Sequence, residues 1–176
     1  MKFSNTISNV MICSVAAALS LIAVPAAADQ ESPKLTVAFI SDAAQGRKID
    51  NQQYDSAIAE LEDSKLYGIR GFYAANNLCV SYLKVGDAAQ AEIACNAAVE
   101  RMESLQQDSR VARDRFLASD YQRLYAIALS NRGVINYIND KPEMARDDFE
   151  AAIESDADVR EAQLNLARLA ELASAA

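Results

Sequence analysis

The side chains of this 176-residue chain with the most chemistry to offer are three cysteines, and they act without any histidine. Cys13 lies in an apolar N-terminal stretch that reads as an export signal, which leaves Cys79 and Cys95 as a pair. One turn signal, Gly86–Asp87, separates them, and the thiols stand seven and eight residues from it on either side. Helices joined at that turn run antiparallel and bring the two cysteines level. An even count at facing positions in an exported chain reads as a disulfide. The alternative is two buried free thiols filling small packing slots. Thiol catalysis is disfavoured, because there is no Cys-x-x-Cys and no cationic cluster to lower a thiol pKa. Lack of histidine removes the commonest general base and the commonest metal ligand together. No phosphate-cradling Gly loop, nucleophile elbow or haem motif is present. The acidic pair Asp147–Asp148 falls on the polar face of a helix, where solvation is the ordinary role. The expectation is a protein that is not an enzyme and binds no metal or cofactor.

The elements that position these cysteines have an internal rhythm. Before the turn, Leu78, Cys79 and Tyr82 recur at helical spacing, and after it Ala91, Cys95 and Ala98 do the same. Small residues at 79, 91 and 98 let two helix backbones approach closely. Thirty-four residues upstream, Tyr54, Ala57 and Leu61 stand where Ala88, Ala91 and Cys95 stand. Fifty-four downstream, Asn131, Gly133, Ala145, Phe149 and Ala152 match Asn77, Cys79, Ala91, Cys95 and Ala98. A further 34 brings Asn165-Leu166-Ala167 into phase, so NLC, NRG and NLA recur. The pattern resembles the tetratricopeptide repeat, whose period is about 34 residues, and Leu129–Asp156 is the stretch that resembles it best. That resemblance implies an all-α fold of αα-hairpin repeats, stacked as a short right-handed solenoid with a C-terminal capping helix. The units fall near 38–71, 72–105 and 126–159, with an insertion at 106–125 and a cap at 160–176.

Composition agrees with helices: 51% of residues are hydrophobic, and there are only 5 Gly and 3 Pro. Residues 1–28 read as a cleavable signal, with Lys2 at the start, an apolar Val10–Val24 and small residues at Pro25–Ala28. The apolar run is shorter than the roughly 20 residues of a spanning helix, so no stable membrane span is expected after signal removal. Export places the protein in the periplasm or outside the cell. From Asp29 onward 16 basic and 25 acidic residues give a charge of −9, which disfavours nucleic acid and anionic membranes as partners.

Residues 29–37 form a polar linker, and Val37–Ile40 is β-branched enough to be extended. The first helix slot, Ser41–Lys48, matches poorly, with Gln45 where a small residue is expected and Gly46 weakening a helix interior. A helix is expected over Tyr54–Ser64, then a connection at Leu66–Gly71 and the central hairpin over Phe72–Met102. Alternating charges mark Ser104–Ser119 as a solvated insertion, and Ser119 with Gln122 suggests a capping box opening a helix at Asp120–Ile138. After a turn at Asn139–Pro142, the helix Glu143–Ser155 turns Ala145, Phe149, Ala152 and Ile153 inward and Asp147, Asp148, Glu150 and Glu154 to water. Asp158–Ala173 covers the last core face with Leu164, Leu166, Leu169 and Leu172.

In tetratricopeptide proteins the first helix of each unit lines a groove that holds an extended peptide or a partner helix. Carried onto this chain, the groove slots are Tyr73, Asn76, Asn77, Val80 and Lys84, then Ile127, Ser130, Asn131, Val134 and Ile138, with Asn165 in the cap. A carboxamide there suits the backbone of an extended peptide, since it both donates and accepts; equally, it could bond neighbouring helices. Lys84 and Arg132 offer few cations for capturing a peptide carboxylate. The resemblance thus implies a scaffold or adaptor for a protein or peptide partner. The alternative is a structural module whose inner face is filled by its own extension or by a second copy, as a homo-oligomer.

Overall fold

The computed structural model describes residues 35–43, 45–108 and 113–175. The export-signal reading of 1–28, most of the linker and residues 109–112 of the insertion lie outside them. Among the described residues every regular element is a helix, and there are seven. They are α1 (Gly46–Asp50), α2 (Tyr54–Glu62), α3 (Gly68–Val85), α4 (Ala88–Gln106), α5 (Arg115–Ile138), α6 (Pro142–Ser155) and α7 (Arg160–Ala175). Each helix packs on the next in sequence, and α1, α3, α5 and α7 also touch one another in order. The described even-numbered helices make no such mutual contacts. The odd-numbered helices therefore form one continuous face.

One turn geometry repeats and sets the phase of the array. In the turn after α3, Gly86 takes a left-handed φ of 81° and the Asp87 N–H reaches back to the Tyr82 carbonyl at 3.0 Å. This is the bond that satisfies an orphan carbonyl at a helix end. Asp87 then caps α4, its carboxylate accepting from the Gln90 N–H at 3.1 Å. The same reach-back bond joins Gln53 to Lys48 at 2.8 Å and Lys141 to Asn136 at 2.9 Å, and Gln52 and Asp140 supply the left-handed residue at φ 58°. Those turns lie 34 residues before and 54 after the Gly86 turn, the offsets carried by the side-chain pattern. Ala57, Ala91 and Ala145, related by the same offsets, are all fully buried.

Facing positions across each hairpin are filled in different ways. Cys79 and Cys95 are disulfide-bonded, with Cα atoms 4.8 Å apart, and both are fully buried. In the next pair the corresponding residues are Gly133 and Phe149, and a Cβ on Gly133 would stand 2.5 Å from the Phe149 ring. A small residue and a large one occupy there what a covalent bond occupies one unit earlier.

Three local expectations need correction. The first helix of the central hairpin opens at Gly68, so Gly68–Gly71 belong to α3 rather than to a connection. α5 opens at Arg115 rather than Asp120, because the Asp114 carboxylate caps it, accepting from the Phe116 and Leu117 N–H groups at 3.0 and 3.2 Å. Asp148 is buried rather than solvated: it takes a two-pronged bond from Arg132, with Nη2 to Oδ1 at 2.6 Å and Nε to Oδ2 at 3.0 Å. Asn136 adds a third donor to the same carboxylate at 2.8 Å. The first-helix slot holds only the five-residue α1, as the poor match there implies. On α7, Leu169 is buried in the core, whereas Leu164 is exposed.

Candidate functional site

An extended chain turns the N–H and C=O of any one residue to the same side, and alternate residues repeat that presentation. A single Asn carboxamide carries an acceptor and donors, so it can satisfy both groups at once. This is what the odd-helix face does to residues 35–40, which cross it outside any helix with residues 36, 38 and 40 each held by one asparagine, the alternation of an extended chain. Asn165 on α7 accepts from the Thr36 N–H at 2.8 Å and donates to the Thr36 carbonyl at 2.8 Å. Asn131 on α5 does the same to Ala38, at 2.9 and 2.7 Å. Asn77 on α3 does it to Ile40, at 2.8 and 3.1 Å.

The three asparagines are fully buried, and neighbours fix their orientation. Asn76 donates to the Ala38 carbonyl at 3.2 Å and accepts from Asn131 Nδ2 at 3.0 Å. The Asn165 amide reaches the Ser130 hydroxyl at 3.5 Å, and Asn77 also donates to the Ala43 carbonyl at 3.1 Å. These residues bond the backbone of the chain's own segment, and Asn131 and Asn165 also bond side chains of a neighbouring helix. Among the described residues no buried side-chain nitrogen or oxygen lacks a partner.

Between the clamped residues, the odd-numbered side chains are half-buried and pack against the core. Leu35 and Val37 pack with Val134, Phe149 and Leu169. Val37 and Phe39 pack with Ile49, Ala57, Leu61, Ala74 and Val80. Polar clamping on one set of positions and apolar burial on the other fixes both register and direction, with the N-terminal end at α7 and the C-terminal end at α3.

Of the slots the family resemblance marked, Asn76, Asn77, Val80, Ser130, Asn131, Val134 and Asn165 are thus brought together around the segment. Tyr73 and Ile127 instead flank a separate apolar cluster around Phe72, Met102 and Leu129. Lys84 and Ile138 are exposed near the C-terminal ends of α3 and α5. Gly46 belongs to the site although the sequence marked it only as a weak helix residue. A Cβ there would stand 2.2 Å from the Ile40 carbonyl oxygen, so only glycine lets the segment pass. Nothing in the local pattern announces that, because the constraint comes from the crossing chain.

The Asp148 carboxylate holds the Arg132 guanidinium above its ordinary value, against the opposing pull of burial. Tyr125 is raised by burial and by donating to Glu103. No group of three or more potential metal ligands occurs among the described residues, and no described helix is long and apolar enough to cross a membrane. Comparison with protein-family models, with curated proteins and with solved structures gives no match to this chain.

Proposed function

We propose that this chain is an exported, non-catalytic helical-repeat protein of tetratricopeptide type that acts as a scaffold for a protein or peptide partner. The observation that carries this reading is the asparagine ladder: three buried carboxamides, on three successive odd-numbered helices, take the backbone of one extended segment at every second residue. A face built this way reads main chain and alternate apolar side chains, a mode in which backbone bonds give affinity and pockets give selectivity. The disulfide is compatible with an oxidising compartment. Photo-crosslinking in the cell from Lys84 and Ile138, the exposed slots, tests the reading. A discrete adduct with one other protein, lost on Asn131→Ala, supports it.

A second reading has its own observation: the ladder is occupied by residues 35–40 of the same chain. In that case the face is an internal structural seam and the protein has no separate ligand. Crosslinking that yields only intramolecular products or a self-dimer, with light scattering reporting the same mass, favours this reading over the first.

A further inference from the structure

Resting on the scaffold reading, we propose that residues 35–40 are a built-in competitor, and that the face beneath them receives in trans an extended segment of the same pattern. The occupant's chemistry follows from the clamps. It needs six residues in extended form and apolar side chains at the first, third and fifth. It needs free N–H groups at the second, fourth and sixth, so proline is excluded there. It runs from α7 towards α3. The side chain at the second position, Thr36 here, is exposed, but its hydroxyl donates to Asn165 Oδ1 at 3.0 Å, so a hydroxyl is favoured there.

Two observations make the segment an exchangeable occupant rather than a core strand. It crosses the face without pairing to any other strand, so leaving breaks no sheet, and its ladder partners are side chains of helices that also pack on one another without it. Among the described residues it is joined to the helices at its C-terminal end, through the short turn at Ser41–Asp42 and the left-handed Gln45. A docked segment on the same chain acts at high effective concentration. An incoming peptide therefore sees only the small fraction of molecules whose face is open, and its apparent affinity falls by that fraction.

The test uses the chain from Asp29 onward and a labelled synthetic peptide of residues 33–42, PKLTVAFISD. Ala38→Pro removes the N–H that Asn131 accepts and leaves every helix residue unchanged. The expected result is that the peptide binds A38P at least about 100-fold more tightly than the parent chain. The same peptide with Asp at the positions of Val37 and Phe39 should bind neither. Equal binding to parent and A38P overturns the proposal, as does binding of the Asp-substituted peptide. Binding to neither chain, with A38P still helical by circular dichroism, also overturns it; crosslinking to a partner would then leave the scaffold reading standing on another surface. Amide exchange on the parent chain needs no variant. Ala38 and Ile40 should exchange faster than the α3 core amides, through an opening of the segment alone. Exchange at the rate of the global core would sink the idea.

Discussion

Asn131 sits at the middle of the ladder, where it takes both backbone groups of Ala38 and also donates to Asn76. The Ala38 carbonyl keeps a bond from Asn76, so loss of Asn131 strands two partners, the Ala38 N–H and the Asn76 Oδ1. Each stranded buried group costs about 1–3 kcal/mol, though some will recover water or each other. Asn131→Ala should therefore lower stability by about 3 kcal/mol in urea unfolding. Asn165→Ala should cost about half as much, because Thr36 at the outer end can hydrate. Equal losses at the two positions would show that the ladder is not read from its middle. A second residue-scale outcome concerns Tyr82, whose phenol donates to Glu62. Burial first, and then that bond, push it up to about 12 from its ordinary 10.0. The folded chain thus holds this proton more tightly than the unfolded chain does. Its contribution to stability is whole below about pH 10 and is lost as pH rises through about 12. Tyr82→Phe should flatten that part of the stability–pH profile, leaving the slope due to Tyr73 and Tyr125, which are also raised. Superimposable profiles for parent and variant would contradict the assignment.

Hairpins are the elements here, and the two complete ones close their facing pairs by different physics. Reducing Cys79–Cys95 releases a loop closed across 16 residues. In the chain-entropy model that costs roughly 3 kcal/mol, so the unfolding midpoint should fall clearly when reductant is added under unfolding conditions. In the next hairpin, Gly133→Ala gains about 1 kcal/mol of helix propensity, but the new methyl meets a buried ring that cannot step aside. Overpacking of this kind costs about 1–3 kcal/mol, and the net effect should be destabilising. Phe149→Leu should rescue Gly133→Ala more than it helps the parent, and a purely additive double variant would refute the contact. These pairs also show what the sequence exposes. Periodicity and small residues reveal the hairpins, the level cysteines and the recurring asparagines, because each depends on local spacing. Asp148 is misread because an ion pair with Arg132 sixteen residues away leaves no periodic trace. The start of α5 is misplaced because Asp114 and Ser119 are both good caps, and only the chain's path chooses between them. Gly46 is opaque for the same reason: its neighbour is Ile40 of the crossing segment. The ladder's chemistry is legible in three asparagines, whereas its occupant appears only as one of several alternatives.

At the scale of the whole fold, the segment changes how the units are coupled. In a linear array each unit touches only its neighbours, and stability is close to a sum of local terms and interfaces. Such arrays lose cooperativity when an interface weakens. Residues 35–40 bypass that rule by bonding α3, α5 and α7 at once and packing against two of the apolar clusters. The last hairpin and its cap are tied to the first units by contacts 93 and 129 residues apart in sequence. The parent chain should therefore unfold in one step, with helix content and tyrosine fluorescence following a single urea curve. Expelling the segment with Ala38→Pro removes the tie while the disulfide still holds the central hairpin. With Tyr54, Tyr67, Tyr73 and Tyr82 replaced by Phe, the remaining tyrosines, Tyr121, Tyr125 and Tyr137, all lie on α5. The two probes should then separate, because fluorescence reports α5 whereas much of the helix signal comes from the disulfide-bonded pair. The summed dependence on urea should stay near that of the parent, since the same surface is exposed in the end. Coincident curves for A38P would mean that helix-on-helix packing alone makes the fold cooperative, and that the ladder serves recognition without also serving as a tie.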